Sequence, residues 1–114
     1  MFKYFKLEDF ECSETGENDI SHDFVHKLDE LRAVCGFPFH ITSGFRSKNH
    51  SREKSKQNPG SHARGIAADI AVQGGAQRMK VVQMALELGF SGVGVANGFI
   101  HVDVRDTTPV LWCY

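Results

Sequence analysis

The 114-residue sequence has no two cysteines close enough to act together. Cys12, Cys35 and Cys113 are odd in number, widely spaced and free of any CxxC pair. This argues against a disulfide framework or a thiolate zinc site and fits the reduced thiols of a cytoplasmic product. One pairing stays open, a Cys12–Cys113 bridge joining the two ends. Long apolar runs are missing as well, so nothing has the length of a membrane span. The opening stretch MFKYFKLEDFEC is aromatic and charged throughout, without the apolar segment or small-residue cleavage site of a secretory signal. Excess charge is also lacking: 13 Lys plus Arg against 14 Asp plus Glu leave a net charge of -1. Neither nucleic acid nor an anionic membrane is called for as a partner by that balance. Repeats and low-complexity tracts are absent. The length fits a single domain over residues 1–114, expected to be monomeric.

What is present is a helical spacing of Ile20, Phe24, Leu28, Leu31 and Cys35, stopped by Gly36 with Pro38 beyond. Phe39 to Thr42 reads as a short strand. From Ser43-Gly44 to Ser61, through Pro59-Gly60, the chain is polar, and so long a loop in a small domain is usually functional or mobile. Ile66 to Val72 reads as a strand. After Gly74-Gly75 a second helix is expected, with Met79, Val82, Met84, Leu86 and Leu88 as its apolar positions and Gly89 as its end. Gly92 to Ala96 and Phe99 to Val104 read as a hairpin around Asn97-Gly98. The order suggests an α+β domain, a small mostly antiparallel sheet flanked by helices.

The chemistry gathers on the stretch GSHARGIAADIAV, residues 60–72. His62 and Asp69 are too far apart on a helix to share one ion, so the chain must turn back, and Gly65 gives it that freedom. Strand alternation then puts Ala67, Asp69 and Ala71 on one face and Ala68, Ile70 and Val72 on the core side. The second hairpin strand repeats the pattern, with Phe99, His101 and Asp103 on one face and Ile100, Val102 and Val104 on the other. Arg105 joins the polar face if the strand continues. Two imidazoles and a carboxylate make the three-ligand set of a catalytic zinc site with a fourth position open. Asp103 is a further carboxylate, of the kind that serves as general base. Singly, each residue has a blander reading: a loop histidine, a cap acceptor, the wet face of an edge strand. Together they fall on the non-core side of segments whose other face is apolar.

These residues resemble a known family. His62-x2-Gly65-x-Ala67-x-Asp69 followed by Phe99-Ile100-His101-Val102-Asp103 is similar to the paired signature of the zinc D-alanyl-D-alanine carboxypeptidase family of metallopeptidases. That family shares its fold with the hedgehog signalling domain. Thr42-Ser43-Gly44-Phe45-Arg46-Ser47, with His50 after it, resembles the family's upstream segment, and the likeness runs from about Ile20 to Trp112. The resemblance implies His62, Asp69 and His101 as ligands of one zinc ion. It implies Arg46 as the residue that binds a substrate carboxylate or polarises the scissile carbonyl. It also implies an activated water attacking an amide of a peptidoglycan stem peptide or crosslink, as in phage endolysins that reach the wall once the membrane is breached. Two departures stand out. Gly60 replaces a serine common among relatives, leaving Ser61 as a substitute contact, and Ala96-Asn97-Gly98 lacks the acid some relatives carry there. Asp103 is therefore the candidate base.

Other patterns point elsewhere. His22-Asp23-Phe24-Val25-His26 mimics a metalloprotease helix, yet both histidines lie opposite the core-facing Phe24 and should face solvent. Arg46, Lys48, Arg52, Lys54, Lys56 and Arg64 make the central loop basic, but without the interleaved aromatics of a nucleic-acid surface. His40 reads as packing, His50 has no assigned role, and Trp112 reads as core or as groove lining. A zinc-holding binding module that has lost catalysis is the competing function.

Overall fold

The computed structural model describes residues 2–56, 58 and 60–114; Pro59 of the Pro59-Gly60 pair, with Met1 and Gln57, lies outside them. A 3-10 turn, Leu7–Phe10, buries Phe10 and precedes helix α1, His22–Cys35. The strands are β1 (Ile41–Ser43), β2 (Ala67–Ala71), β3 (Gly92–Val95), β4 (Phe99–Asp103) and β5 (Val110–Cys113), with helix α2, Gly74–Glu87, between β2 and β3. The sheet order is β1-β2-β4-β3-β5. Its neighbours are antiparallel except β3 and β5, which run parallel. This is the expected α+β architecture.

Helix α1 starts at His22 because Ser21 is its N-cap, its hydroxyl accepting from the Phe24 amide at 3.2 Å. It ends where Gly36 adopts a left-handed φ of 79°. Ile20, Phe24, Leu28, Leu31 and Cys35 are all buried, as their spacing predicts. In α2 the expectation needs correcting. Val81 and Ala85 are the fully buried positions, whereas Met79 and Leu86 are 68% and 53% exposed. A helix that meets the sheet through a narrow line buries small residues at i and i+4, and the larger apolar side chains flank that line. Ala68, Ile70, Val93, Ile100 and Val102 face the helices and complete the core with Phe5, Phe10 and Phe90. The opposite face of the sheet is left for the site.

The β3–β4 hairpin forms as expected, but by another turn. Neither Asn97 nor Gly98 has positive φ. The last paired residues are Val95 and Ile100, and Ala96 donates to the Phe99 carbonyl at 3.0 Å. Such a longer loop does not require the left-handed pair of a two-residue turn. The chain also contains β5, which its composition did not announce: Val110 and Leu111 are exposed and the segment shows no alternation of burial. All three cysteines are free, Cys12 and Cys35 buried and Cys113 exposed, so the Cys12–Cys113 bridge is not formed. Among the described residues, no helix is long and apolar enough to cross a membrane.

Candidate metal centre

Strand register gathers the chemistry into one transverse row. Ser43 pairs with Asp69, Asp69 with His101, His101 with Gly94, and Gly94 with Trp112. His62 reaches the row from the loop before β2. The chain turns at Gly65, whose φ is 75° and where any Cβ would overlap the Asp19 carbonyl oxygen, so only glycine fits the bend.

Asp69 Oδ1 lies 3.3 Å from His62 Nε2 and 3.1 Å from His101 Nδ1. The edge of a tetrahedron with metal–ligand bonds of 2.0–2.1 Å is roughly 3.3 Å, so the spacing suits zinc. The outer nitrogens settle which atoms are free. His62 Nδ1 donates to the Gly44 carbonyl at 2.8 Å, and His101 Nε2 donates to Asp103 Oδ2 at 2.6 Å. A carbonyl and an arginine-bound carboxylate only accept, so those ring nitrogens carry the protons. The other nitrogen of each neutral ring then turns a lone pair toward Asp69 Oδ1. Three acceptors converging on one point repel one another unless a cation lies between them. The donor set therefore fits a metal ion, and His62, Asp69 and His101 can hold one, all three donor atoms lying within 4.8 Å of each other.

Without a metal ion the inward ring nitrogens can take up protons instead: burial opposes ionisation of Asp69, but hydrogen bonds from protonated His101 and His62 outweigh it and hold the carboxyl low, at about 2. Burial likewise disfavours the charged His101, yet Asp103 and Asp69 raise its pKa. Asp103 is held well below the carboxylate range despite burial, by Arg105 and His101.

A groove of about 550 Å³ opens over this row. Its lining includes the cations Arg46, Arg52 and Lys56 and the aromatic rings of Phe99, Trp112 and Tyr114. Arg46 lines the groove, Nη2 donating to Ser43 Oγ at 3.3 Å and Nη1 lying 3.6 Å from Glu53 Oε2. Asp103 lies elsewhere. It is wholly buried, and its two oxygens take Arg105 Nε at 2.9 Å, Arg105 Nη2 at 2.6 Å and the His101 ring. It thus stands behind the ligand set, not at the open position expected of a base, because i and i+2 side chains on a strand lie side by side and His101 covers it. Among the described residues no hydrogen bond joins the Ser61 side chain to His62, and the Gly44 carbonyl accepts from that ring.

The remaining described histidines do not join the ligand cluster, although His50 lines a cavity shared with Asp69 and Arg46. His22 and His26 are exposed against the Phe2 ring, and His40 is exposed. His50 pairs with Glu14 at 3.2 Å, tying the central loop to the N-terminal segment. Glu53 was not singled out by sequence. Only 2% of its side chain is exposed, and it accepts from Lys56 Nζ at 2.8 Å and the Gly60 amide at 3.3 Å. One glutamate in a basic loop gives little warning of such burial.

Fold and site together define a small α+β protein with a cluster of two imidazoles and one carboxylate that could hold a metal ion. The family model described as Peptidase M15 matches residues 3–103, and the chain belongs to that family of zinc-dependent metallopeptidases. A comparison with curated proteins finds no match.

Proposed function

We propose that the protein is a zinc peptidase hydrolysing an amide bond of peptidoglycan stem peptides or their crosslinks, acting on the cell wall in the manner of a phage endolysin. The observation that carries this reading is the convergence of three lone-pair donors, His62 Nε2, Asp69 Oδ1 and His101 Nδ1, at tetrahedral spacing on the floor of an open groove. His62, Asp69 and His101 would hold the zinc ion, which would supply Lewis acidity for the scissile carbonyl and lower the pKa of a water toward neutrality. The protein residues do the rest. Gly44 and Asp103 keep both rings in the tautomers that present lone pairs. Arg46, anchored by Ser43 and Glu53, turns its remaining donors toward the groove for a substrate carboxylate or for charge developing on the carbonyl oxygen. The cations of the lining suit an acidic peptide. All donors come from one chain, so a monomer suffices.

A second reading, a zinc-holding module that binds wall or protein without cutting, is favoured by one observation. Both oxygens of Asp103 are occupied, and the carboxylates lining the groove are Asp69, a ligand, and Glu53, paired with Lys56 and Arg46. Mass spectrometry of products released from purified peptidoglycan, with His62→Ala as control, separates the two. Free D-alanine, separated crosslinks or fragments beginning at D-glutamate each name the bond. Metal-dependent binding without any product favours the module.

A further inference from the structure

We propose that Asp103, Arg105 and Trp112 form a positioning unit that fixes the ring of His101, so that Nδ1 and not Nε2 faces the metal. The inference rests on the reading of the centre as a metal site. None of the three belongs to the ligand cluster; they act through His101, and Arg105 and Trp112 also line the groove.

Three observations carry it. First, the Asp103 carboxylate is saturated. Oδ1 accepts from the Arg105 amide at 3.1 Å and from Nε at 2.9 Å, while Oδ2 accepts from Nη2 at 2.6 Å and from His101 Nε2 at 2.6 Å. The guanidinium fork holds both oxygens in one plane and keeps the carboxylate an acceptor, so the proton of a neutral His101 must sit on Nε2. Second, β3 is bare where this unit lies. A Cβ on Gly92 would overlap the Asp103 carboxylate, and one on Gly94 would come within 2.7 Å of the Trp112 indole. The Gly92-Val93-Gly94 alternation keeps Val93 in the core while opening two adjacent slots on the site face. Third, Trp112 closes the unit from β5. Its ring centroid is 5.0 Å from that of His101 and 5.0 Å from the Arg105 guanidinium carbon. The parallel pairing of β5 brings Trp112 into register with Gly94, beside His101. A strand with so little buried apolar surface of its own thereby gains a role, that of delivering this indole.

Outer-shell partners of metal-bound histidines are commonly worth 10- to 100-fold in metal affinity, and that sets the expected size. The test combines zinc competition titration with long-range proton–nitrogen correlation spectra of ¹⁵N-histidine protein, zinc-free and zinc-loaded. In the wild type His101 should carry its proton on Nε2 and ligate through Nδ1. Arg105→Gln should mix the His101 tautomers in the zinc-free protein and weaken zinc roughly 10- to 100-fold. Arg105→Lys, which replaces the fork by a single donor group, should fall between, and it carries the test if the Gln variant does not fold. Wild-type tautomer and zinc affinity in a folded Arg105 variant would overturn the proposal and leave the pair as structural support. Zinc ligation as described without peptide cleavage would instead remove the peptidase reading and leave the positioning unit standing.

Discussion

Replacing Gly92 by Ala sets two effects of opposite sign against each other. The backbone of Gly92 does not have positive φ. Strand propensity alone therefore predicts that alanine stabilises by about 0.5–1 kcal/mol through the entropy of the unfolded chain. The structure predicts the reverse. The new methyl group would overlap the Asp103 carboxylate, which is 0% exposed and holds both Arg105 and His101. A methyl forced into a filled space costs roughly 1–3 kcal/mol. Displacing the carboxylate adds the weakening of hydrogen bonds to charged groups, about 1.5–3 kcal/mol each when lost outright. Partial relaxation leaves a net loss of roughly 2 kcal/mol, or on the order of 5–10 °C in Tm for a domain of this size. Urea denaturation and calorimetry of the zinc-free protein read that loss, and zinc titration should show weaker binding in parallel. Gly98→Ala is the control, since nothing lies within 4 Å of its Cβ position and it should stay within about 0.5 kcal/mol of wild type. A Gly92→Ala protein as stable as the wild type, with unchanged zinc affinity, would refute the account of why β3 is bare.

His62→Ala should abolish stoichiometric zinc binding and the thermal stabilisation that added zinc gives the wild type, because binding to a formed site is coupled to folding; full zinc retention would sink the assigned centre. Glu53→Gln should destabilise by about 1–3 kcal/mol at neutral pH, since its remaining oxygen can still take the Gly60 amide but its NH2 group faces the donors of Lys56 and Arg46 in a buried place. Burial raises the Glu53 pKa, but Lys56, the Gly60 amide and Arg46 together lower it. A depressed carboxyl stabilises above its unfolded pKa and ceases to do so as pH falls through its folded value, so the difference between variant and wild type should shrink in acid. An equal difference at pH 7 and pH 3 by urea melts would contradict the assignment. Burial pushes the Cys35 thiol up to about 11 and Cys113 is exposed, so a thiol reagent at pH 8 should label Cys113 at once and Cys35 only after denaturation; immediate labelling of Cys35 would count against its packing.

The ligand set was legible because each half of it carries a period. Asp69 and His101 alternate with Ala68, Ile70, Ile100 and Val102, so the strand pattern alone puts both on the face away from the core. Helix α1 was legible for a similar reason, a clean stripe with a cap at each end. What escaped was whatever depends on non-local pairing. β5 has no alternating pattern, and its parallel pairing with β3, across the intervening β4 in sequence, is marked by no local signal. In α2 the larger apolar residues mark the wrong stripe, because tight packing on the sheet selects Val81 and Ala85. The setting of Glu53 depends on the folded shape of the loop that carries it, which no periodicity describes. The glycines of β3 were visible as letters, but a bare strand has meaning only when the occupants of the space, Asp103 and Trp112, are known.

The same limit governs Asp103. A His-x-Asp pair on a strand tells that the two side chains share a face, and a carboxylate beside a metal ligand reads naturally as a base. Which of them stands toward the substrate depends on Arg105, which lies beyond the end of β4 and turns back onto the carboxylate. Asp103→Asn separates the roles. Its amide keeps one oxygen that can accept from His101 Nε2, but its NH2 group faces the donors of Arg105, so the unit is weakened and not erased. As a positioning residue, Asp103→Asn should weaken zinc roughly 10- to 100-fold, and excess zinc should restore much of the hydrolysis lost at limiting metal. As a base, its replacement should leave zinc affinity near wild type and abolish hydrolysis at every zinc concentration. Activity measured across a zinc titration therefore decides between a group that moves a proton and one that holds a ligand still.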